Sequence, residues 1–251
     1  MQETAGHSYS SLFYDYTDVG AARSARRFVD VIQPLLGAAS VADFGCGRGT
    51  WLREWQRSGV SDIVGIDGDY VVRSELKIPT DCFHAHDITQ PVDLGRRFDL
   101  VQSLEVAEHL PAKNASSFIE TLARHGDRVL FSAAVPGQGG EFHVNEQPMQ
   151  YWRERFAELG YAPYDFVRQR LSRTSEVQPW YRFNTMLYAN ANGADGLPYE
   201  VASTRVDDNR SFTDHSDLAW KLRRAVVGRL PPSAVNRISQ IRAEIIARRM
   251  R

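Results

Sequence analysis

The sequence is poor in cysteine, with only Cys46 and Cys82 among its 251 residues. Neither lies in a paired-spacing motif of the kind that binds zinc or builds a disulfide framework, so we expect a reduced, cytoplasmic setting. No apolar run approaches the roughly 20 residues that a membrane-spanning helix needs. Residues 1–11 also lack the apolar stretch of a signal peptide. These absences argue against a disulfide-rich secreted scaffold and against a transmembrane segment.

An excess of charge of either sign is also lacking. The 30 Lys and Arg residues nearly balance the 31 Asp and Glu residues, which leaves a formal net charge of −1 at pH 7. That balance argues against a chain devoted to nucleic acid, and no nucleic-acid partner is expected. With 43% hydrophobic residues, the chain has the composition of a globular protein with one sizeable core and a small appendage.

Short apolar runs alternate with helical stretches along most of the chain. They predict strands at residues 40–45, 62–67, 81–88, 98–104 and 127–134, and later at 164–171 and 182–190. Strands that alternate with helices at this pitch predict a doubly wound α/β fold, in which helices cover both faces of a parallel sheet. No helix closely follows the last predicted strand, so a hairpin-like return of the chain is expected there.

The two ends of the chain follow different patterns. Residues 1–36 predict an irregular aromatic cap and then a helix that ends before Gly37. Residues 196–251 predict a basic helical extension of a domain at residues 1–195, with nine Lys and Arg against one acidic residue over 221–251. We expect this extension to pack on the domain or on a twin subunit, which leaves a homodimer open. The alternative is contact with an acidic polymer or an anionic membrane surface.

A glycine-rich turn follows the first predicted strand in the sequence VADFGCGRGTWL. Gly45, Gly47 and Gly49 allow the backbone to turn sharply and to approach a ligand closely. Asp67 ends the next strand, twenty-two residues after Gly45, where a carboxylate can accept hydrogen bonds from ribose hydroxyls. A loop of this kind could equally serve a dinucleotide, so the glycines alone do not identify the cofactor.

Further features favour S-adenosylmethionine over NAD. Asp43 directly precedes the glycine turn in the same strand. Asp87 follows the third predicted strand, where its carboxylate could accept a hydrogen bond from the adenine amino group, with Ile88 beside the ring. The fourth predicted strand continues as FDLVQSLEVAEHL and includes Ser103, which we also assign to the cofactor site.

The motifs DFGCGRGTW, GIDGD, HDI and FDLVQSLEVAEHL together resemble those of the class I S-adenosylmethionine-dependent methyltransferases, in the same order and spacing. The resemblance covers roughly residues 35–190. It implies a Rossmann-like sheet of seven strands, mostly parallel with an antiparallel last strand. It also implies cofactor contacts from Gly45, Gly47, Asp67 and Asp87, with Asp43 supporting the methionine end.

The stretch SLEVAEHL places two carboxylates and an imidazole together after the fourth predicted strand. On a helix, Glu105, Glu108 and His109 would stand at i, i+3 and i+4 and share one face. His143 lies 34 residues after His109, in the sequence GGEFHVNEQP. These four side chains could bind a divalent metal; oxygen ligands suit Mg²⁺, whereas histidine suits Mn²⁺ and other transition metals better.

A site that methylates a hydroxyl would need imidazole or carboxylate groups of this kind. An aliphatic hydroxyl is a poor nucleophile near neutral pH, so its methylation needs a general base or a metal that lowers its pKa. The Glu-x-x-Glu-His pattern with a distant histidine resembles the 2′-O-methyltransferases of small-RNA ends and, in part, the ubiquinone-pathway O-methyltransferases. We therefore predict His143, Glu105 and His109 as catalytic residues. The alternative is a site without metal, in which His143 is the base or is bonded to the backbone.

Two stretches, 139–161 and 176–190, resemble bacterial O-methyltransferases associated with glycan and polysaccharide genes, including those of methylmannose polysaccharide assembly. Trp180 and Tyr181 follow a proline and could form a flat wall for a sugar ring, whereas Trp152 is either a second wall or part of the core. The sequence thus predicts a metal-assisted O-methyltransferase that acts on a saccharide hydroxyl. An RNA 2′-O-methyltransferase and a small-molecule natural-product O-methyltransferase are the alternatives.

Overall fold

The computed structural model describes residues 11–231, 233–239 and 241, with the backbone alone for residues 11–19. The predicted cap over residues 1–10 and the end of the predicted basic extension lie outside the described residues. The strands are β1 (Ser40–Phe44), β2 (Asp62–Asp67), β3 (Phe83–Ala85), β4 (Leu100–Leu104), β5 (Arg128–Ser132), β6 (Ala162–Tyr164) and β7 (Met186–Ala189). The helices are α1 (Ser11–Leu36), α2 (Thr50–Arg57), α3 (Ala115–His125), α4 (Met149–Glu158), α5 (Phe166–Leu171), α6 (Pro179–Asn184), α7 (Ala191–Ala194), α8 (Tyr199–Ala202) and α9 (Leu218–Val227). Residues 233–239 are also helical.

The seven strands form one sheet in the order β3-β2-β1-β4-β5-β7-β6. β1 to β5 pair in parallel, and β7 lies antiparallel to both β5 and β6. Parallel neighbours need a crossover connection, which α2 supplies between β1 and β2 and α3 supplies between β4 and β5, on opposite faces of the sheet. Between β2 and β3 the connection contains only short 3₁₀ turns. The prediction of a Rossmann-like, seven-stranded sheet that is mostly parallel, with an antiparallel last strand, is confirmed.

The core lies in two layers, one on each face of the sheet. On one face, the fully buried side chains of Phe28 and Trp55 pack between the sheet and the α1–α2 pair. On the other face, Phe131 packs edge-to-face on Phe156, whose ring stacks on Tyr188 with a centroid distance of 3.9 Å. Because the strands are buried on both faces, their sequences read as short, continuous apolar runs.

Two segments predicted as strand or loop are helical in the structure. The predicted strand at 164–171 is wrong, because all but its first two residues form α5. Arg168 there donates two hydrogen bonds of 2.6 Å to Asp165, one helical turn earlier. The predicted irregular cap is also wrong from Ser11 onwards, where α1 begins. No proline or glycine interrupts the sequence between Ser11 and Gly20 that would oppose a helix there.

Candidate active site

The turn between β1 and α2 depends on its glycines. Gly45 has a φ of 85°, in the left-handed region that disfavours other residues. A Cβ atom at Gly45 would lie 2.4 Å from the side chain of Val106, which follows β4. Glycine at this position therefore allows the end of β1 and the segment after β4 to pack closely at the carboxyl edge of the sheet.

Asp67, at the end of β2, joins this turn directly. Its carboxylate accepts hydrogen bonds from the backbone N–H groups of Gly47, at 2.6 Å, and Gly68, at 2.7 Å, and from the Tyr70 hydroxyl. Burial raises the pKa of Asp67, although these hydrogen bonds act in the opposite direction. Burial also raises the pKa of Asp43 to about 7, and the neighbouring Asp67 carboxylate adds to that shift. Four predicted cofactor residues, Asp43, Gly45, Gly47 and Asp67, therefore lie together.

The other predicted cofactor residues lie further along the same edge or inside the sheet. Asp87 is exposed after β3, and its Oδ1 accepts hydrogen bonds from the N–H (2.9 Å) and the hydroxyl (2.7 Å) of Thr89. Ile88 is half-buried against the core. Ser103 is fully buried in β4, and its hydroxyl has no hydrogen-bond partner among the described residues. Because side chains alternate along a strand, its hydroxyl points to the face opposite Asp43, which pairs in register with the preceding residue.

The stretch SLEVAEHL does not form the predicted α-helix. β4 ends at Leu104, Glu105 has a φ of 57°, and only a short 3₁₀ turn follows over Ala107–His109. The N–H of Glu105 still bonds to the carbonyl of Ser132, which continues the pairing of β4 with β5. A positive φ at a residue other than glycine is strained and is often found at functional sites. In this turn the Val106 side chain packs so closely on Gly45 that a Cβ atom there would clash with it.

Three of the four predicted metal ligands nevertheless meet. One ligand atom each from Glu108, His109 and His143 can be chosen so that all lie within 4.8 Å of one another. The Nε2 atom of His143 lies 4.0 Å from Oε1 of Glu108, and the two imidazole rings are edge-to-face with centroids 4.9 Å apart. The carbonyl of Glu108 accepts the N–H groups of Val144 (2.9 Å) and Asn145 (3.0 Å), which fixes the loop that carries His143.

Glu105 faces the same cavity but does not join this cluster. Its carboxylate accepts hydrogen bonds from the side-chain amides of Gln138 and Asn184, the latter at 3.5 Å. Asn184 also donates to Oε1 of Gln138 at 2.8 Å. Burial raises the pKa of Glu105, and the hydrogen bond from Gln138 opposes the shift. Glu105 thus holds two amides in the cavity wall.

The Glu108 carboxylate is buried without a hydrogen bond from the described residues. It is completely buried, and neither carboxylate oxygen has a hydrogen-bond partner among the described residues. Burial raises the pKa of Glu108 well above its usual range, and the nearby Glu105 carboxylate adds to the shift. The backbone N–H groups of Glu108 and Ala134 lie near enough to oppose the shift, but they do not outweigh burial. A buried carboxylate without a hydrogen bond is destabilising, and a bound cation would relieve it.

The donor set fits a divalent transition metal. Burial lowers the pKa of His109 to about 3, and His143 adds to the shift, so the His109 imidazole is neutral and able to bind a metal. Two imidazole nitrogens and one carboxylate oxygen suit Mn²⁺ or Zn²⁺ better than Mg²⁺, which prefers oxygen ligands.

Glu146 orients His143. Its Oε1 lies 2.9 Å from Nδ1 of His143, and its two oxygens also accept the N–H groups of Gly137 (2.9 Å) and Gly139 (2.7 Å). Burial raises the pKa of Glu146, but the bond to His143 and these amides outweigh burial and lower it overall. This network assigns the imidazole proton to Nδ1, so Nε2 presents its lone pair toward Glu108. Sequence reasoning missed this role of Glu146, although its i+3 spacing from His143 was a signal.

Gly140 leaves the space that the His143 ring occupies. A Cβ atom there would lie 2.1 Å from Nε2 of His143. We therefore expect Gly140→Ala to displace the imidazole and to lower kcat by about 10- to 100-fold, the usual effect of disturbing the groups that support a site. Steady-state kinetics checks the loss, and unchanged affinity for S-adenosylmethionine would show that the fold is intact. An unchanged kcat would contradict the placement of His143.

A cavity of about 210 Å³ opens beside this cluster. On one side it is lined by Glu105, Glu108, His109 and His143. On the other sides it is lined by Gln138, Gly139, Gly140, Glu141, Gln178, Trp180, Tyr181, Arg223 and Ser239. Trp152, in contrast, is only 2% exposed and packs on Phe131, so it belongs to the core.

The predicted basic extension packs against the cavity wall. Arg223 of α9 donates to the carbonyl of Gln138, and Arg224 donates to that of Pro136 at 3.3 Å. Further along, Asn236 accepts the N–H of Phe142 at 3.2 Å. These contacts place part of the extension beside the turn at residues 137–140, whose backbone N–H groups donate to Glu146.

Comparison with protein families identifies a methyltransferase domain. A family model described as "Methyltransferase domain" matches residues 20–175. No curated protein matches the chain significantly. Among the described residues, none of the helices is long and apolar enough to span a membrane.

Several solved structures have a similar fold. DesVI from Streptomyces venezuelae superposes with a TM-score of 0.55 and 16% identity, over 71% of this chain and 97% of that chain. The sugar N-methyltransferase KedS8 from a Streptoalloteichus species has a TM-score of 0.53 and 18% identity, over 76% and 98%. The magnesium protoporphyrin IX methyltransferase ChlM from Synechocystis, with bound S-adenosylmethionine, has a TM-score of 0.50 and 19% identity, over 74% and 87%. At these identities the likeness concerns the fold.

Proposed function

The chain belongs to the family of methyltransferase domains, and from this premise we propose that it is an S-adenosylmethionine-dependent O-methyltransferase. We propose a saccharide hydroxyl as the acceptor and a divalent metal as an aid to the reaction. The observation that carries the proposal is that Glu108, which is buried and has no hydrogen-bond partner among the described residues, meets His109 and His143 at the wall of a cavity.

The cofactor is assigned to the turn after β1 and the ends of β2 and β3. S-adenosylmethionine supplies the methyl group, on a sulfonium that is already a good leaving group. Asp67 would accept hydrogen bonds from the ribose hydroxyls, at the place where the Tyr70 hydroxyl now donates to it. Asp87 would accept a hydrogen bond from the adenine amino group, with the half-buried Ile88 beside the ring. Asp43 supports the turn at the methionine end.

The cluster around His143 supports the activation of a hydroxyl. As the acceptor oxygen attacks the methyl carbon and the carbon–sulfur bond breaks, the hydroxyl proton must leave. Nε2 of His143 can take that proton, and the Glu146 carboxylate on Nδ1 stabilises the imidazolium that results. Rigid placement of the acceptor by the cavity wall supplies the alignment that the displacement needs.

The same residues support a metal. A divalent cation bound by Glu108, His109 and His143 would lower the pKa of an acceptor hydroxyl beside it. His143 would then be a ligand, whereas without a metal it is free to act as the base. The metal dependence of turnover therefore distinguishes the two tasks of His143.

Two aromatic side chains support a saccharide acceptor. Trp180 and Tyr181 line the cavity and present flat surfaces of the kind on which sugar rings pack, with Gln178 nearby as a polar partner. KedS8, which has the same fold, is a sugar N-methyltransferase, so the fold is compatible with an acceptor of this class.

The test is methyl transfer from labelled S-adenosylmethionine to a panel of neutral saccharides, amino sugars and short RNAs. We expect label on a saccharide hydroxyl, loss of transfer after treatment with a chelator, and recovery with Mn²⁺ that exceeds recovery with Mg²⁺. Label on an amine or on the RNA ribose would refute the proposed acceptor. Transfer that survives complete metal removal would refute the metal and leave His143 as the base.

A further inference from the structure

The described part of the C-terminal extension exposes several large hydrophobic side chains. Eleven large hydrophobic side chains are exposed in the described part of the chain, and six of them lie between residues 218 and 241. These six are Leu218, Leu222, Val226, Leu230, Ile238 and Ile241. Scattered exposed hydrophobic residues are normal, but a concentration of them in one segment marks an interaction surface.

On α9 these side chains form a continuous stripe. Leu218, Leu222 and Val226 recur every four residues and are 71%, 58% and 59% exposed, so they share the outer face of the helix. The inner face is occupied, since Trp220 is only 5% exposed and Arg223 bonds to the cavity wall. The helix is therefore held by one face and presents the other to its surroundings.

The same segment is basic throughout. Between residues 218 and 241 it has five cations and no acidic residue: Lys221, Arg223, Arg224, Arg229 and Arg237. Lys221 pairs with Asp214, which precedes α9, at 3.3 Å. Arg229 and Arg237 are exposed, as are the aliphatic side chains near them in sequence.

We propose that this surface, formed by residues 218–231, 233–239 and 241, docks on an anionic lipid membrane. Aliphatic side chains on one face of a helix, accompanied by Lys and Arg, are what a helix lying in the membrane interface needs. A second copy of the chain is a poorer occupant, because a twofold contact would bring the cations of both copies together. Nucleic acid would meet the cations but leave the aliphatic stripe in water.

Docking of this surface has a consequence for the cavity. Arg223 and Ser239, which line the cavity, belong to the segment that carries the exposed stripe. Docking by the exposed stripe would therefore place α9 between the membrane surface and the cavity. The inference concerns the surface and does not depend on the acceptor or on the metal.

Vesicle co-sedimentation of the full chain tests the proposal. We expect binding to vesicles of phosphatidylglycerol and phosphatidylcholine in equal parts, weak binding to phosphatidylcholine alone, and a decrease with added salt. The triple variant Leu218→Ser, Leu222→Ser, Val226→Ser should bind at least about tenfold more weakly, because three aliphatic side chains no longer enter the apolar phase. Arg229→Gln with Arg237→Gln should weaken binding roughly 20- to 30-fold, a factor of about five for each charge near the surface.

Matched controls separate docking from general stickiness. Tyr199 and Leu159 are 82% and 39% exposed elsewhere on the chain, and their replacement by serine should leave vesicle binding unchanged. Circular dichroism of every variant checks that the fold is retained. Equal binding to neutral and anionic vesicles, or no binding at low salt, would overturn the proposal. The proposal would also be overturned if wild type bound no vesicles but formed a dimer that the triple variant cannot form. It would be overturned as well if wild type and the triple variant both bound RNA and neither bound vesicles.

Discussion

Replacement of His143 by alanine is expected to lower kcat by about 10²- to 10⁴-fold, the usual contribution of a positioned proton acceptor. The loss is expected whether His143 binds a metal or takes the proton itself, because Nε2 is its only nitrogen that faces Glu108. Affinity for S-adenosylmethionine should stay within about twofold, since the predicted cofactor residues lie on the β1–α2 turn and at the ends of β2 and β3. Steady-state kinetics and calorimetric titration of the cofactor measure the two effects separately.

His84, an exposed residue of β3, supplies the matched control, and its replacement by alanine should leave kcat unchanged. The conservative variant Glu146→Gln tests how His143 is held, because the amide can still bond to the imidazole but lacks the charge. It should lower kcat by about 10- to 100-fold with little change in KM. If His143→Ala retained wild-type turnover, the proposed active site would be wrong.

The parts of the molecule that could be predicted from sequence depend on local patterns. β2, at residues 62–67, coincides with its predicted bounds because it is a short apolar run that ends at an acidic residue. The turn at Gly45 could also be predicted, since three glycines at alternate positions indicate a close approach of backbone. The parallel pairing of β1 to β5 followed from the alternation of strands with helices, whereas the antiparallel last strand was implied by the family resemblance.

The segment around Glu105 shows why local patterns fail. The spacing of Glu105, Glu108 and His109 favours one face of a helix, yet Val106 packs against Gly45, which lies 61 residues earlier in the sequence. A turn with a positive φ at Glu105 accompanies this tertiary contact in place of a helix, and Glu105 lies outside the cluster that Glu108 and His109 form with His143. Helical spacing correctly predicted that Glu108 and His109 lie close together. They do so on a 3₁₀ turn, however, and not on one face of an α-helix.

The groups that support the site could not be predicted because their partners are distant in sequence. Gln138 meets Glu105 from a loop 33 residues away, and Asn184 meets it from the end of α6, 79 residues away. Nothing in their local sequence distinguishes a buried amide that holds a carboxylate from an amide in water. Polar side chains of this kind acquire a role only when the fold brings them to a buried charge.

Replacement of Glu108 is expected to change the free energy of unfolding. The sign of that change distinguishes a metal ligand from a residue that stabilises the fold. In the metal-free protein its buried carboxylate accepts no hydrogen bond from the described part of the chain, so Glu108→Met, which has a similar volume and no charge, should stabilise the fold. We expect the free energy of unfolding to rise by about 1–3 kcal/mol, the usual penalty of an unsatisfied buried group. Tm should rise by about 2–4 °C for each kcal/mol in a chain of this size.

With added Mn²⁺, wild type should have a higher Tm than Glu108→Met. The cation stabilises wild type by binding only the folded state, whereas Glu108→Met has lost a ligand and should gain little. Glu120, an exposed residue of α3, serves as the control, since Glu120→Met should change neither the metal-free Tm nor the shift with Mn²⁺. A variant less stable than metal-free wild type would mean that Glu108 is held by hydrogen bonds that the fold needs. A variant that retains the full shift with Mn²⁺ would mean that the cation binds elsewhere, because a buried carboxylate without another partner is the feature that ties the metal to this cluster.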